Sequence, residues 1–141
     1  MKWFLCLSLI VAFSGLAFGQ EKKEAGDDQK IQGKWEMVEG EQNGQKFDDE
    51  FVKGFKLSFD KDKYDAKLAN GDGEDGTFKI DAKDTPHKSL KFTTAGSEVR
   101  QAIYDWDGET LKLCVSDRGG DKPKEFAGKD GNISMVLRKA K

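Results

Sequence analysis

The residues that could carry chemistry are few, and most stand alone. His87 is the sole histidine and follows Pro86 in a polar stretch. A multi-histidine metal site needs neighbours it does not have, so His87 reads as an ordinary loop residue. The chain has two cysteines, Cys6 and Cys114. It contains no Gly-x-Ser-x-Gly elbow, and no histidine is placed to activate Cys114, so nucleophilic catalysis lacks its parts. The run Asn70-Gly71-Asp72-Gly73-Glu74-Asp75-Gly76 begins like a calcium loop. It lacks glycine at the sixth position, and its twelfth residue is Asp81 where glutamate is required. A hairpin turn accounts for it better. Asp48, Asp49, Glu50, Asp60 and Asp62 fall on wet loops, whereas acid–base catalysis needs carboxyls perturbed in a cleft. The expectation is therefore no enzyme, no cofactor and no metal.

What remains is aromatic. Phe55 and Phe59 share one face of an alternating run, and Tyr64, Phe78 and Phe92 face the same way from three others. Rings gathered on one side of neighbouring strands make the wall of an apolar pocket, and the ligand of such a pocket is a small lipophilic molecule. Phe55, Phe59, Tyr64, Phe78 and Phe92 are accordingly the candidate ligand-binding residues. The same rings could instead fill the interior themselves, since protein cores pack to crystal density. Composition leaves both readings open.

The elements that position these rings have a period of two. Phe55-Lys56-Leu57-Ser58-Phe59-Asp60, Tyr64-Asp65-Ala66-Lys67-Leu68, Phe78-Lys79-Ile80-Asp81 and Ser89-Leu90-Lys91-Phe92-Thr93 alternate without error. So does Thr110 to Val115, which puts Cys114 opposite Leu111, Leu113 and Val115. Each run is a strand with one dry face and one wet face. Eight strands are expected, over 32–41, 54–60, 63–69, 75–81, 88–94, 99–106, 109–116 and 132–139. Turn signals such as Asp107-Gly108 separate them, and both prolines fall between them. One short helix is expected over 48–53, after the first strand, capped by Asp48 or Asp49. Eight sequential antiparallel strands close into an all-β up-and-down barrel, which abolishes sheet edges. A two-sheet sandwich is the alternative, though sequential hairpins suit it less well. Cys114 then points away from the barrel interior unless a bulge intervenes. It reads as a partly covered structural thiol, with a redox or dimer-forming thiol as the alternative.

The first nineteen residues are of a different kind. Lys2 gives a positive start, Trp3 to Phe13 is apolar except for Ser8, and Ala17 and Gly19 are placed for cleavage after Gly19. That is the pattern of a secretory signal peptide, and the run is short of the roughly 20 apolar residues a span requires. Residues 1–19 are thus expected to be removed on export, to periplasm or medium, leaving no membrane span. Residues 20–29 are polar and charged and read as a disordered leader; residues 30–141 form the domain. With Cys6 gone, no internal disulfide can form, so the core alone must hold the fold. Loss of Lys2 moves the formal net charge from −2 to −3, and both signs are scattered along the chain. Nucleic acid, which needs a clustered positive footprint, is not an expected partner. A monomer is expected.

Two resemblances follow from particular residues. Gly33-Lys34-Trp35 on the first strand and Arg138 on the last resemble the lipocalin pairing of a Gly-x-Trp with a terminal cation. The resemblance implies that Trp35 closes the barrel base and Arg138 lies across it. A cation over an indole face, bonding to backbone carbonyls, is the physical content of that pairing. More of the chain is similar to a family of short exported bacterial proteins, common in planctomycetes, that are lipocalin-like and of unknown function. The similarity runs through Gln32-Gly33-Lys34-Trp35, Gly76 to Asp81, Lys122-Pro123-Lys124-Glu125-Phe126 and Val136-Leu137-Arg138. It is densest over Ile103 to Cys114. Lys122 stands where the family often has arginine, and the segment after Ile80 is short. The family brings no catalytic residues.

Overall fold

The structure is a computed structural model that describes residues 26–140. Its strands fall where the alternation places them: β1 (Gly33–Gln42), β3 (Lys56–Asp60), β4 (Lys63–Lys67), β5 (Gly73–Asp81), β6 (Lys88–Thr94), β7 (Val99–Asp107), β8 (Thr110–Val115) and β9 (Ile133–Lys139). A two-residue β2 (Gln45–Lys46) pairs with the end of β1 across the Asn43-Gly44 turn. Apart from β2, each strand pairs antiparallel with the next along the chain, β1 with β3 first, and β9 pairs back onto β1 from Trp35↔Lys139 to Gln42↔Ile133. Eight strands thus close an up-and-down, lipocalin-like barrel. Closure leaves only the two-residue β2 as an edge, too short to template aggregation.

One irregularity divides β1. Its register against β9 shifts between Met37 and Glu39, and Val38 is pushed outward, 46 % exposed. A bulge of this kind inserts one unpaired residue and resets the alternation. Before it, Trp35 and Met37 face inward; after it, Gly40 does, and Gln42 reaches the interior.

Two helical pieces cover the barrel ends. α2 (Asp49–Gly54) follows β2, and the Asp48 carboxylate accepts from Phe51 N at 2.8 Å, the N-cap its sequence position implies. Phe51 packs between Phe47 and Phe55, at ring distances of 4.2 and 6.3 Å. This aromatic run lies across the end of the barrel where β1 finishes. A side chain at Gly54 would collide with Ala69, so the end of α2 touches the β4–β5 turn directly. At the other end lies α1 (Asp27–Lys30). This corrects the expectation of a disordered leader through residue 29, because Asp27 to Gln29 belong to the folded unit. Residues 1–19, the expected signal peptide, and residues 20–25 lie outside the described residues.

The 116–132 connection folds over the outer wall. Cys114 Sγ lies 3.6 Å from Ala127 O, Gly128 N donates to Glu41 at 3.1 Å, and Lys122 pairs with Asp84 at 2.7 Å. Ile103 and Cys114, paired across β7 and β8, are buried beneath it.

Candidate functional site

The barrel has a filled half and a hollow half. In the filled base, Trp35 Nε1 donates to Ile31 O at 2.7 Å, and Trp35 meets Trp106 at 6.0 Å. Ile31, Leu111 and Leu137 are fully buried around them. α1 seals this end. Asp27 accepts from Tyr104 Oη at 2.7 Å and from Lys88 Nζ at 3.0 Å. Burial alone would raise the Asp27 pKa, but these two hydrogen bonds and the Lys88 charge outweigh it and hold the carboxyl below its ordinary range. Tyr104 shifts the other way: burial first, then its bond to Asp27, push the phenol far above its usual value.

The cation across Trp35 is Lys139. Its Nζ lies 4.6 Å from the ring centroid and also donates to Gln32 O. Arg138, expected there from the lipocalin resemblance, alternates to the outside, is mostly exposed and meets Glu36 at 3.6 Å. Strand parity explains the correction. Trp35 pairs with Lys139, whereas Arg138 pairs with the outward Glu36. Gly33 sits at the start of β1 with a φ of +109°, which only glycine adopts without strain. Burial lowers the Lys139 pKa.

Above Phe59 the inward positions change character. The base offers Trp35, Phe59, Phe78, Leu111 and Leu137; the mouth offers Ala66, Gln42, Glu74 and Arg100. Apolar volume runs out, and a cavity of 420 Å³ remains. Its walls include Met37, Phe55, Leu57, Tyr64, Phe92, Leu113 and Met135, with Phe47 and Phe51 of the lid region over it.

At its rim sits a polar cluster. Glu74 is clasped by Arg100 Nε at 3.1 Å, Arg118 Nη2 at 3.3 Å and Tyr64 Oη at 3.1 Å. Arg100 and Glu74 side chains are each 19 % exposed, whereas Arg118 is 54 % exposed and also meets Glu98 at 3.1 Å. Burial, and next the charge of Glu74, push the Tyr64 phenol well above its ordinary pKa, so Tyr64 stays a neutral donor across the physiological range.

Of the five aromatic residues singled out in the sequence, Phe55, Tyr64 and Phe92 line the cavity. Phe59 and Phe78 do not. They pack edge to face at 4.8 Å below it, and Phe59 stacks on Phe92 at 6.2 Å. Alternation assigns a face but not a height along the barrel axis, so it could not separate wall from floor. His87 sits in the β5–β6 connection, edge-on to Phe126 at 5.0 Å and away from the cavity. Cys114 points outward, yet it is 0 % exposed under the 116–132 connection; burial raises its thiol pKa.

Sequence reasoning missed Glu74, Arg100 and Arg118. The parity signal was present: Glu74 is four residues before Phe78, and Arg100 is four before Tyr104, so both share an inward face. Asn43-Gly44, a strong two-residue hairpin signal, also went unused. Comparison of the chain with protein-family models, with curated proteins and with solved structures finds no match.

Proposed function

We propose that the protein is exported and binds one small lipophilic molecule in the mouth half of its barrel, as a carrier or sensor that does no chemistry on it. The observation that carries this reading is the cavity. Its 420 Å³ falls within the roughly 300–1,000 Å³ typical of ligand pockets. Its walls are mostly apolar, with a few polar groups converging at one end, the usual construction of a site that binds a lipophile in one orientation. Export rests on the signal pattern of residues 1–19, and membership of the planctomycete-type exported family rests on the motifs quoted above.

The rival reading is a filled barrel that serves as a structural or interaction domain of the envelope. The solid base favours it. A docking domain is expected to expose an apolar patch; among the described residues, Val38 is the one large hydrophobic side chain that is exposed.

Native mass spectrometry of the protein purified from its own host tests the proposal. A co-purifying lipophilic molecule, displaced by a fluorescent apolar probe with saturable binding, is the expected result. Phe55→Glu should weaken that binding without unfolding the domain. Absence of any saturable probe binding overturns the ligand reading. N-terminal sequencing of the exported form should begin at Gln20; a start at Met1 in the membrane fraction overturns export.

A further inference from the structure

Building on that ligand-binding reading, we propose that the ligand is an amphiphile of the fatty-carboxylate class, with its anionic head on Arg100 just inside the mouth and its chain in the apolar cavity. The argument is a donor and acceptor ledger. Glu74 has little acceptor capacity left. Its Oε1 accepts from Arg100 Nε and Arg118 Nη2, and its Oε2 accepts from Tyr64. Tyr64 has one proton to donate and spends it there. Arg100 is different. Its Nε goes to Glu74, its Nη1 reaches Ser116 O only at 3.4 Å, and its Nη2 has no partner among the described residues. A guanidinium carries five N–H donors in a fixed fork. Arg100 thus holds unspent donor capacity beside the apolar walls, on a side chain only 19 % exposed; Asp72, which also borders the mouth, is exposed to solvent and accepts from Asn70 at 3.0 Å.

That ledger selects the head group. A cationic head would find at most one free lone pair on Glu74 and the solvent-screened carboxylate of Asp72, and would face two guanidinium groups. A neutral hydroxyl could accept from the guanidinium, but without charge assistance. A carboxylate gains charge-assisted bonds, which are roughly twice as strong, and it matches the guanidinium fork. The opposing charge of Glu98 is half exposed and occupied by Arg118, so solvent and salt screen it more than they screen the inner pair. From Arg100 the apolar walls of Leu57, Phe92, Leu113 and Met135 continue into the cavity, which gives the chain a dry path. Glu74 then has a definite role. In the empty site it neutralises Arg100, and an incoming carboxylate competes with it for the same guanidinium.

Calorimetric titration of the delipidated mature protein with decanoate, decanol and decylamine tests this. Decanoate is expected to bind about tenfold more tightly than decanol, the scale of one hydrogen bond to a charged group, and decylamine more weakly than either. Glu74→Gln removes the competing anion and should widen the decanoate-to-decanol ratio. The double variant Glu74→Gln with Arg100→Met leaves no lone buried charge, so it should fold, and it should abolish the ratio. Circular dichroism verifies the fold of each. Equal binding of decanoate and decanol, or a ratio that narrows in Glu74→Gln, overturns the head-group assignment and leaves the pocket standing. Failure of all three compounds to bind saturably overturns the pocket itself.

Discussion

Phe59→Ala and Phe92→Ala form a matched pair that measures the hollow half directly. The two rings are alike in burial, at 2 % and 3 % exposed. Each takes part in two ring pairs: Phe59 with Phe78 at 4.8 Å and Phe92 at 6.2 Å, Phe92 with Tyr64 at 4.7 Å and Phe59 at 6.2 Å. Their transfer and ring-pair contributions should therefore nearly cancel in the comparison. They differ in what surrounds the vacated space. Phe59 sits in the filled base, so its truncation opens a new void and should cost about 4 kcal/mol, within the range for large aromatic truncations. Phe92 already borders 420 Å³ of open space, so part of its surface has no partner atoms to lose. Its truncation should cost roughly 1–2 kcal/mol less than that of Phe59. Urea unfolding, with m-values checked for equality between the variants, reads both losses. An equal loss at the two positions would refute the division of the barrel into a solid base and a hollow mouth.

The other expectations concern the base and the covered wall. Lys139→Ala should cost about 1–2 kcal/mol through the lost ring contact and the bond to Gln32 O, while Arg138→Ala should stay within about 0.5 kcal/mol of wild type; chemical denaturation of both variants, with the order reversed, would refute the assignment of the Trp35 cation. The lowered Asp27 pKa is a linkage statement: the native state binds its proton more weakly than the unfolded chain, so the Asp27 contribution is complete above the unfolded value of about 3.9 and is lost as pH falls through the lower folded value. Asp27→Asn should flatten that acid limb of the stability profile, and an unchanged limb would show that the carboxylate is not what ties α1 to the barrel. Cys114, buried and with its thiol pKa raised, should resist a thiol reagent in the native protein and react on unfolding; rapid native labelling would instead support the redox or dimer-forming alternative.

Much of this barrel was legible because its chemistry is local. A strand with one wet face must alternate, so β3, β6 and β8 lie within about two residues of where their side chains place them. Asp48 announced α2 for the same reason, since a cap acts on the helix turn directly after it. Closure of β9 onto β1 was inferred from strand number alone. The misses come from relations across the chain. α1 looks like solvent-bound leader until Tyr104 and Lys88, far along the sequence, supply partners for Asp27. The resemblance points to Arg138 because it gives a residue type near a strand end, whereas register decides that the next cation, Lys139, faces the indole. The rim cluster draws Glu74, Arg100 and Arg118 from three separate segments, and no single stretch of sequence contains it.

Both ends of the described chain lie at the base: Gly26 borders Lys61 and Asp81, while Ala140 N donates to Lys34 O at 2.9 Å and Lys139 reaches Gln32 O. The mouth, with Arg100, Glu74 and the α2 lid, is at the opposite end of every strand. Anything tethered through either end of the domain, whether a surface, a fused reporter or a neighbouring module, would therefore hang from the closed floor and leave the entrance clear. A linker long enough to cross the base could join residue 140 to residue 26, and the chain be reopened elsewhere, for instance at the Gly108-Glu109 turn, which is also at the base. Such a permuted chain would keep all eight strand pairings and an unobstructed entrance, which makes the fold a convenient holder for an immobilised sensor.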